Sequence, residues 1–126
     1  MGQKLLRLAV LITGLALIVI GLIAVTEPGR VAAGLGITSV NEVGAASLRA
    51  DLFGFFATAG LLATLAAVRQ TPELLTAPLL LMSLALIGRV VALFVAPFEM
   101  TLLPPMAAEA VMVFVFGAAR LLEMPE

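Results

Sequence analysis

Apolar residues run almost unbroken through four stretches of this chain, residues 8–25, 48–68, 76–96 and 102–122, and the polar residues gather between them. A helix needs roughly 20 apolar residues to cross the hydrocarbon core of a bilayer. Each stretch therefore predicts one membrane-spanning helix. Few charges interrupt the pattern: Arg49 and Asp51 early in the second stretch, Arg89 in the third and Glu109 in the fourth. A charge inside a span is costly, so it usually has a partner or a function.

The breaks are chemically marked. Thr26-Glu27-Pro28-Gly29 ends the first span, since Pro and Gly interrupt the helical pattern. Residues 30–45 form the longest connection, and the apolar piece from Val31 to Ile37 is too short to cross. It predicts a short interfacial or re-entrant helix. Ser39 is placed to cap a new turn, with Glu42 three residues on as its capping-box partner. The second span is expected from about residue 46 to 68, followed by the tight polar turn Arg69-Gln70-Thr71-Pro72-Glu73. Pro97 ends the third span. Pro104-Pro105 opens the fourth, where the first amides lack helical partners anyway. Gly14 and Gly21, seven apart, share a face of the first span and allow a neighbour to approach closely. Gly54 would leave room beside Asp51, and Gly88, next to Arg89, is read as a further close-approach point. Lys4 and Arg7 before an apolar run also fit a secretory leader. That run is longer than the usual 7–15 residues, and Ala24-Val25-Thr26 makes a poor cleavage site. The segment is read as a retained first helix.

Basic residues set orientation in a membrane. Lys4, Arg7, Arg69 and Arg120 fall on one side, with Glu123 and Glu126 at the same polar end, and only Arg30 lies outside the spans on the other. Both termini are expected in the cytoplasm, with residues 30–45 on the outer face. At about 1.5 Å of rise per residue, Arg49, Asp51, Arg89 and Glu109 all fall in the outer half of the membrane. Two arginines and two carboxylates can neutralise one another. Arg89, the deepest, is expected to pair with Glu109 or Asp51, through a bidentate contact where geometry allows. Asp51, Gly54 and Thr58 share a stripe, whereas Arg49 lies about 200° round the helix from Asp51 and can snorkel to the interface. Asp51, Arg89 and Glu109 form the expected inner constellation, with Arg49, Asn41 and Glu42 at its rim.

Composition sharpens this. Hydrophobic residues make up 63% of the 126 positions and charged residues 12%, against roughly half and about a quarter in soluble domains. A soluble helical bundle would have to hide more apolar surface than a small bundle can. The net charge of −1 and the lack of a basic stripe give no footprint for nucleic acid. With no cysteine there is no thiol chemistry. With no histidine, the commonest metal ligand and the usual general base are missing. No metal, cofactor or catalytic residue is assigned, which weighs against an enzyme. The missing Trp and Tyr leave only Phe for the membrane interface. Phe53, Phe55 and Phe56 cannot share one helix face, so some should meet lipid or a partner. Met82, Met100, Met106 and Met112 are read as packing residues.

Three segments carry a resemblance: Glu27-Pro28 with Gly34-Leu35-Gly36; Ser47-Leu48-Arg49-Ala50-Asp51-Leu52-Phe53-Gly54; and Gly88-Arg89-Val90-Val91 with Glu109. Together they resemble an uncharacterised bacterial family of small four-helix membrane proteins, a domain of unknown function distantly similar to DoxX-type proteins. The family pattern often has a paired glycine after the arginine and acidic residue; Phe53-Gly54-Phe55 keeps one. The resemblance implies four spans in a bacterial inner membrane, with Arg49, Asp51, Arg89 and Glu109 as family-type positions. The DoxX likeness implies accessory roles beside respiratory or redox enzymes.

The expected architecture is an all-α, integral membrane four-helix bundle forming one domain over residues 1–126, with a short interfacial helix between the first two spans. The leading functional reading is non-enzymatic binding of a lipid, quinone or similar amphiphile, with Arg89 and Arg49 facing an anionic or carbonyl group and Asp51 and Glu109 orienting them. An accessory subunit of a larger membrane complex and a small dimeric transporter are the alternatives. A purely structural charge network, fixing helix register without a ligand, is weighed beside all three.

Overall fold

A computed structural model describes residues 2–122 and is helical along most of that length. The helices are α1 (Gly2–Thr26), α2 (Pro28–Gly34), α3 (Glu42–Arg69), α4 (Thr76–Val95) and α5 (Leu103–Leu121), with short 3-10 turns at Pro72–Leu75 and Met100–Leu102 before the last two. Four of these segments, Gly2–Thr26, Glu42–Arg69, Pro72–Val95 and Met100–Leu121, are long and apolar enough to cross a membrane. Integral membrane placement is consistent with them. Large apolar side chains such as Leu15, Leu61, Leu84, Phe94 and Phe114 stay on the surface, where a bilayer would solvate them and water would not. Glu123 and Glu126 lie outside the described residues.

The α1–α3 contact is built from small side chains. Val10, Gly14, Leu17, Gly21 and Ala24 are the buried residues of α1, at alternating steps of four and three that keep them on one stripe. Opposite them α3 buries Ala59, Gly60, Ala63, Ala66 and Ala67. Without long side chains between them the two backbones approach closely. A Cβ at Gly60 would lie 2.7 Å from the Gly14 carbonyl oxygen, and one at Gly21 would lie 3.0 Å from the Ala57 nitrogen. Leu75, Met82 and Phe116 extend the core toward α4 and α5. Gly88 does not serve as a close-approach point, since a side chain there would meet open space, as would one at Gly54 beside Asp51. Gly54 shares its stripe with exposed Thr58 and with Asp51, which is exposed at the cavity, and Gly88 shares an outward stripe with exposed Leu84 and Val91. Phe53 faces outward, while Phe55 and Phe56 meet edge to face at 5.1 Å and pack against the core. Of the methionines, Met82 is buried, Met112 packs against the core and Met100 is exposed.

Ends of helices leave carbonyls without intrahelical partners, and arginines from neighbouring helices take two of them, while a third arginine reaches a threonine hydroxyl. Arg7 of α1 donates from Nε to the Ala67 oxygen at 2.7 Å, near the end of α3. Arg49 of α3 donates to the Val25 oxygen at 2.8 Å, near the end of α1. Arg120 of α5 donates to Thr76 Oγ1 at 3.2 Å, at the start of α4. These contacts gather the start of α1, the end of α5 and the α3–α4 connection at one end of the bundle. The α1–α3 and α4–α5 connections share the other.

The α1–α3 connection is ordered by local chemistry. Pro28 opens α2, and Gly36, at φ +74, closes it. The Gly36 and Ile37 amides donate back to Ala33 and Ala32, the pair of bonds that ends a helix on a left-handed glycine. Asn41, not Ser39, caps α3: its backbone is extended and its side-chain oxygen accepts from the Gly44 amide at 2.9 Å. Helix α3 consequently begins at Glu42, earlier than its apolar run suggests, and Glu42 occupies the first turn, where negative charge is favoured.

Candidate functional site

Helical register alone brings Arg89 and Glu109 inward. On α4, Pro78, Met82, Ala85 and Arg89 recur at steps of four and three, and the first two are buried. On α5, Pro105, Glu109, Met112 and Phe116 do the same, with Glu109 and Phe116 buried. A charged residue therefore continues the core stripe of each helix, and the two meet. Arg89 Nε donates to Glu109 Oε1 at 2.8 Å and Oε2 at 2.9 Å. The carboxylate grips one N–H with both oxygens, so the contact is three-centred and not a fork-to-fork pair. The side chains are 24% and 10% exposed. Arg30–Glu27, an exposed ion pair at 3.2 Å, belongs to the class that contributes little.

The pair opens onto a cavity of about 930 Å³ among α1, α2, α3, α4 and α5, toward the upper end of the roughly 300–1,000 Å³ usual for ligand sites. Its walls are mostly apolar, including Ile12, Leu17, Phe55, Met82 and Val111, and three charged residues line it: Asp51, Arg89 and Glu109. A second cavity of about 530 Å³, lined by Gly36, Ala96, Glu99 and Thr101 among others, shares Gly34, Leu35, Arg89, Pro104 and Pro105 with the first. Arg89 thus lines both chambers, the larger one strongly apolar and the smaller one less so.

Asp51, Arg89 and Glu109 all line the larger cavity, but only Arg89 and Glu109 are in contact; Asp51 is exposed and makes no ion pair among the described residues. Arg49 does not join them, because the α1 carbonyl at Val25 holds it elsewhere. Asn41 is taken up in capping α3, and neither Asn41 nor Glu42 lines either cavity. The sequence reading did not single out Pro104 and Pro105 as cavity walls. Their signal was available: Pro105 precedes Glu109 by four residues and so shares its face. Among the described residues no group of three or more His, Cys, Asp or Glu side chains could hold a metal ion.

Comparison with family models, curated proteins and solved structures finds no match to this chain.

Proposed function

We infer that this chain is a small membrane protein that holds an amphiphile in its interhelical cavity, its apolar part against α1, α3 and α5 and its polar end at Asp51, Arg89 and Glu109. The observation that carries this reading is a large, apolar-walled cavity lined by three charged residues, Asp51, Arg89 and Glu109. Apolar volume with a few convergent polar groups is what a ligand site of this kind requires. A structural role for the Arg89–Glu109 pair is compatible with it, since the pair also joins α4 to α5. The resemblance to the small bacterial four-helix family enters on the motifs around Arg49, Asp51 and Arg89 alone.

Native mass spectrometry after gentle extraction from the source membrane tests the reading. A small bound mass is expected, and Ala85→Trp, which puts an indole into the cavity from its α4 wall, should displace it. A mass retained equally by the variant would place the ligand elsewhere. Larger subunits at fixed ratio, with no small mass, would favour the accessory-subunit reading.

The same proposal puts both termini in the cytoplasm, supported by Lys4, Arg7, Arg69 and Arg120 at or near the end of the bundle that holds the start of α1. The chain has no cysteine, so single cysteines report cleanly. Ser39→Cys should react with an impermeant maleimide in intact cells, and Gln3→Cys only after lysis. The reverse pattern would invert the topology.

A further inference from the structure

Charge within the cavity narrows the class of amphiphile. Three charged residues line the larger chamber: one guanidinium, Arg89, against two carboxylates, Asp51 and Glu109. Both oxygens of Glu109 are already committed to Arg89 Nε, so these two neutralise each other. Asp51 is left with no ion pair among the described residues. The nearest basic residue in sequence, Arg49, is engaged with the Val25 carbonyl and does not line the chamber. The adjoining smaller chamber adds Glu99 and no further cation. An anionic head entering here would meet a guanidinium that already has its counter-charge, together with a surplus carboxylate. The like charge on Asp51 repels an anionic head, and the apolar walls beside it offer that head no other counter-charge. A cationic head would meet the surplus directly.

Resting on the amphiphile reading above, we propose that the ligand is an amphiphilic cation, its ammonium or comparable positive group received by Asp51 and its apolar part by the walls of the larger cavity. Arg89 and Glu109 then form the polar floor of the site, and Arg49 takes no part in binding. This reverses the charge of the head group expected from the sequence, where Arg89 and Arg49 were both free to face an anion.

Two probes of nearly the same shape and opposite charge, tetraphenylphosphonium and tetraphenylborate, separate charge from hydrophobicity. Equilibrium dialysis of each against the purified protein in one neutral detergent, with empty micelles subtracted, measures saturable binding. Tetraphenylphosphonium should bind at one site per chain, tighter than tetraphenylborate by on the order of tenfold, the lower end for a close charge pair. Asp51→Asn should remove most of that preference. Asp51 is exposed and makes no ion pair, so the variant should keep the wild-type circular dichroism and melting profile, which verifies that the fold is intact. Equal binding of the two probes, or tighter binding of the borate, would overturn the cation assignment and leave the amphiphile reading standing. A preference unchanged in Asp51→Asn would overturn the role of Asp51. No saturable binding of either probe would bring down both readings together.

Discussion

Glu109→Leu should be among the most damaging single substitutions in this protein, lowering stability by about 3–5 kcal/mol, the usual range for stranding one member of a buried ion pair. Arg89 keeps 24% of its side chain exposed, so the lower part of that range is expected. The reason is an asymmetry between the partners. A guanidinium in apolar surroundings cannot discharge itself, whereas a stranded carboxylate can take up a proton and become neutral. Arg89→Leu should therefore cost less than Glu109→Leu. The double variant should recover much of the loss, because two leucines leave no buried charge. Unfolding curves in mixed detergent micelles, read by circular dichroism across this mutant cycle, give all three values. If Glu109→Leu unfolds at the wild-type midpoint, the pair contributes nothing to the α4–α5 contact and Arg89 finds solvent without its partner.

Gly60→Leu should be comparably severe for a different reason. The first atom of any side chain at this position would lie 2.7 Å from both the Gly14 oxygen and the Ile18 nitrogen. Both are backbone atoms, so no rotamer change relieves the clash and the helices must separate. Overpacking of this kind costs roughly 1–3 kcal/mol, and more where backbone must move. The α1–α3 contact is the closest helix pairing in the fold, so the loss should appear as a lower melting temperature and a weaker cavity, whose walls include residues of both helices. Gly54→Leu and Gly88→Leu are the matched comparisons: the same substitution in open space, with melting expected to stay near wild type. Equal melting of all three variants would mean that α1 and α3 do not meet through Gly14 and Gly60.

Much of the architecture was legible because a bilayer makes strong demands on sequence. Every backbone amide must be satisfied within the span, which forces long apolar runs, and Pro28, Pro72, Pro97 and Pro104 stand at the breaks between them. The period of the helix then places residues around its axis, so that Arg89 follows Met82 by seven residues and Glu109 precedes Phe116 by seven. Local competition was less legible. Ser39 and Asn41 both have capping side chains, and it is Asn41, in an extended conformation, whose oxygen meets the Gly44 amide.

The contacts that depend on two helices at once were legible only in part. Gly14, Gly21, Gly54, Gly60 and Gly88 are the same residue in a string of letters. The shared face of Gly14 and Gly21 was readable, but only the packing of α1 on α3 adds Gly60 to that contact, while Gly54 on α3 and Gly88 on α4 meet open space. Arg49 and Arg89 are equally charged interruptions of apolar runs, yet one is drawn to a carbonyl left open at the end of α1 and the other to a carboxylate on α5. Sequence alone determined the four long apolar stretches, roughly where they break and which charges they carry, because those follow from length, period and the cost of exposed polar groups in an apolar medium. Tertiary structure decided which charge meets which, and that a cavity with a surplus carboxylate opens beside them. Those outcomes depend on distances between helices, which one chain's local pattern does not contain.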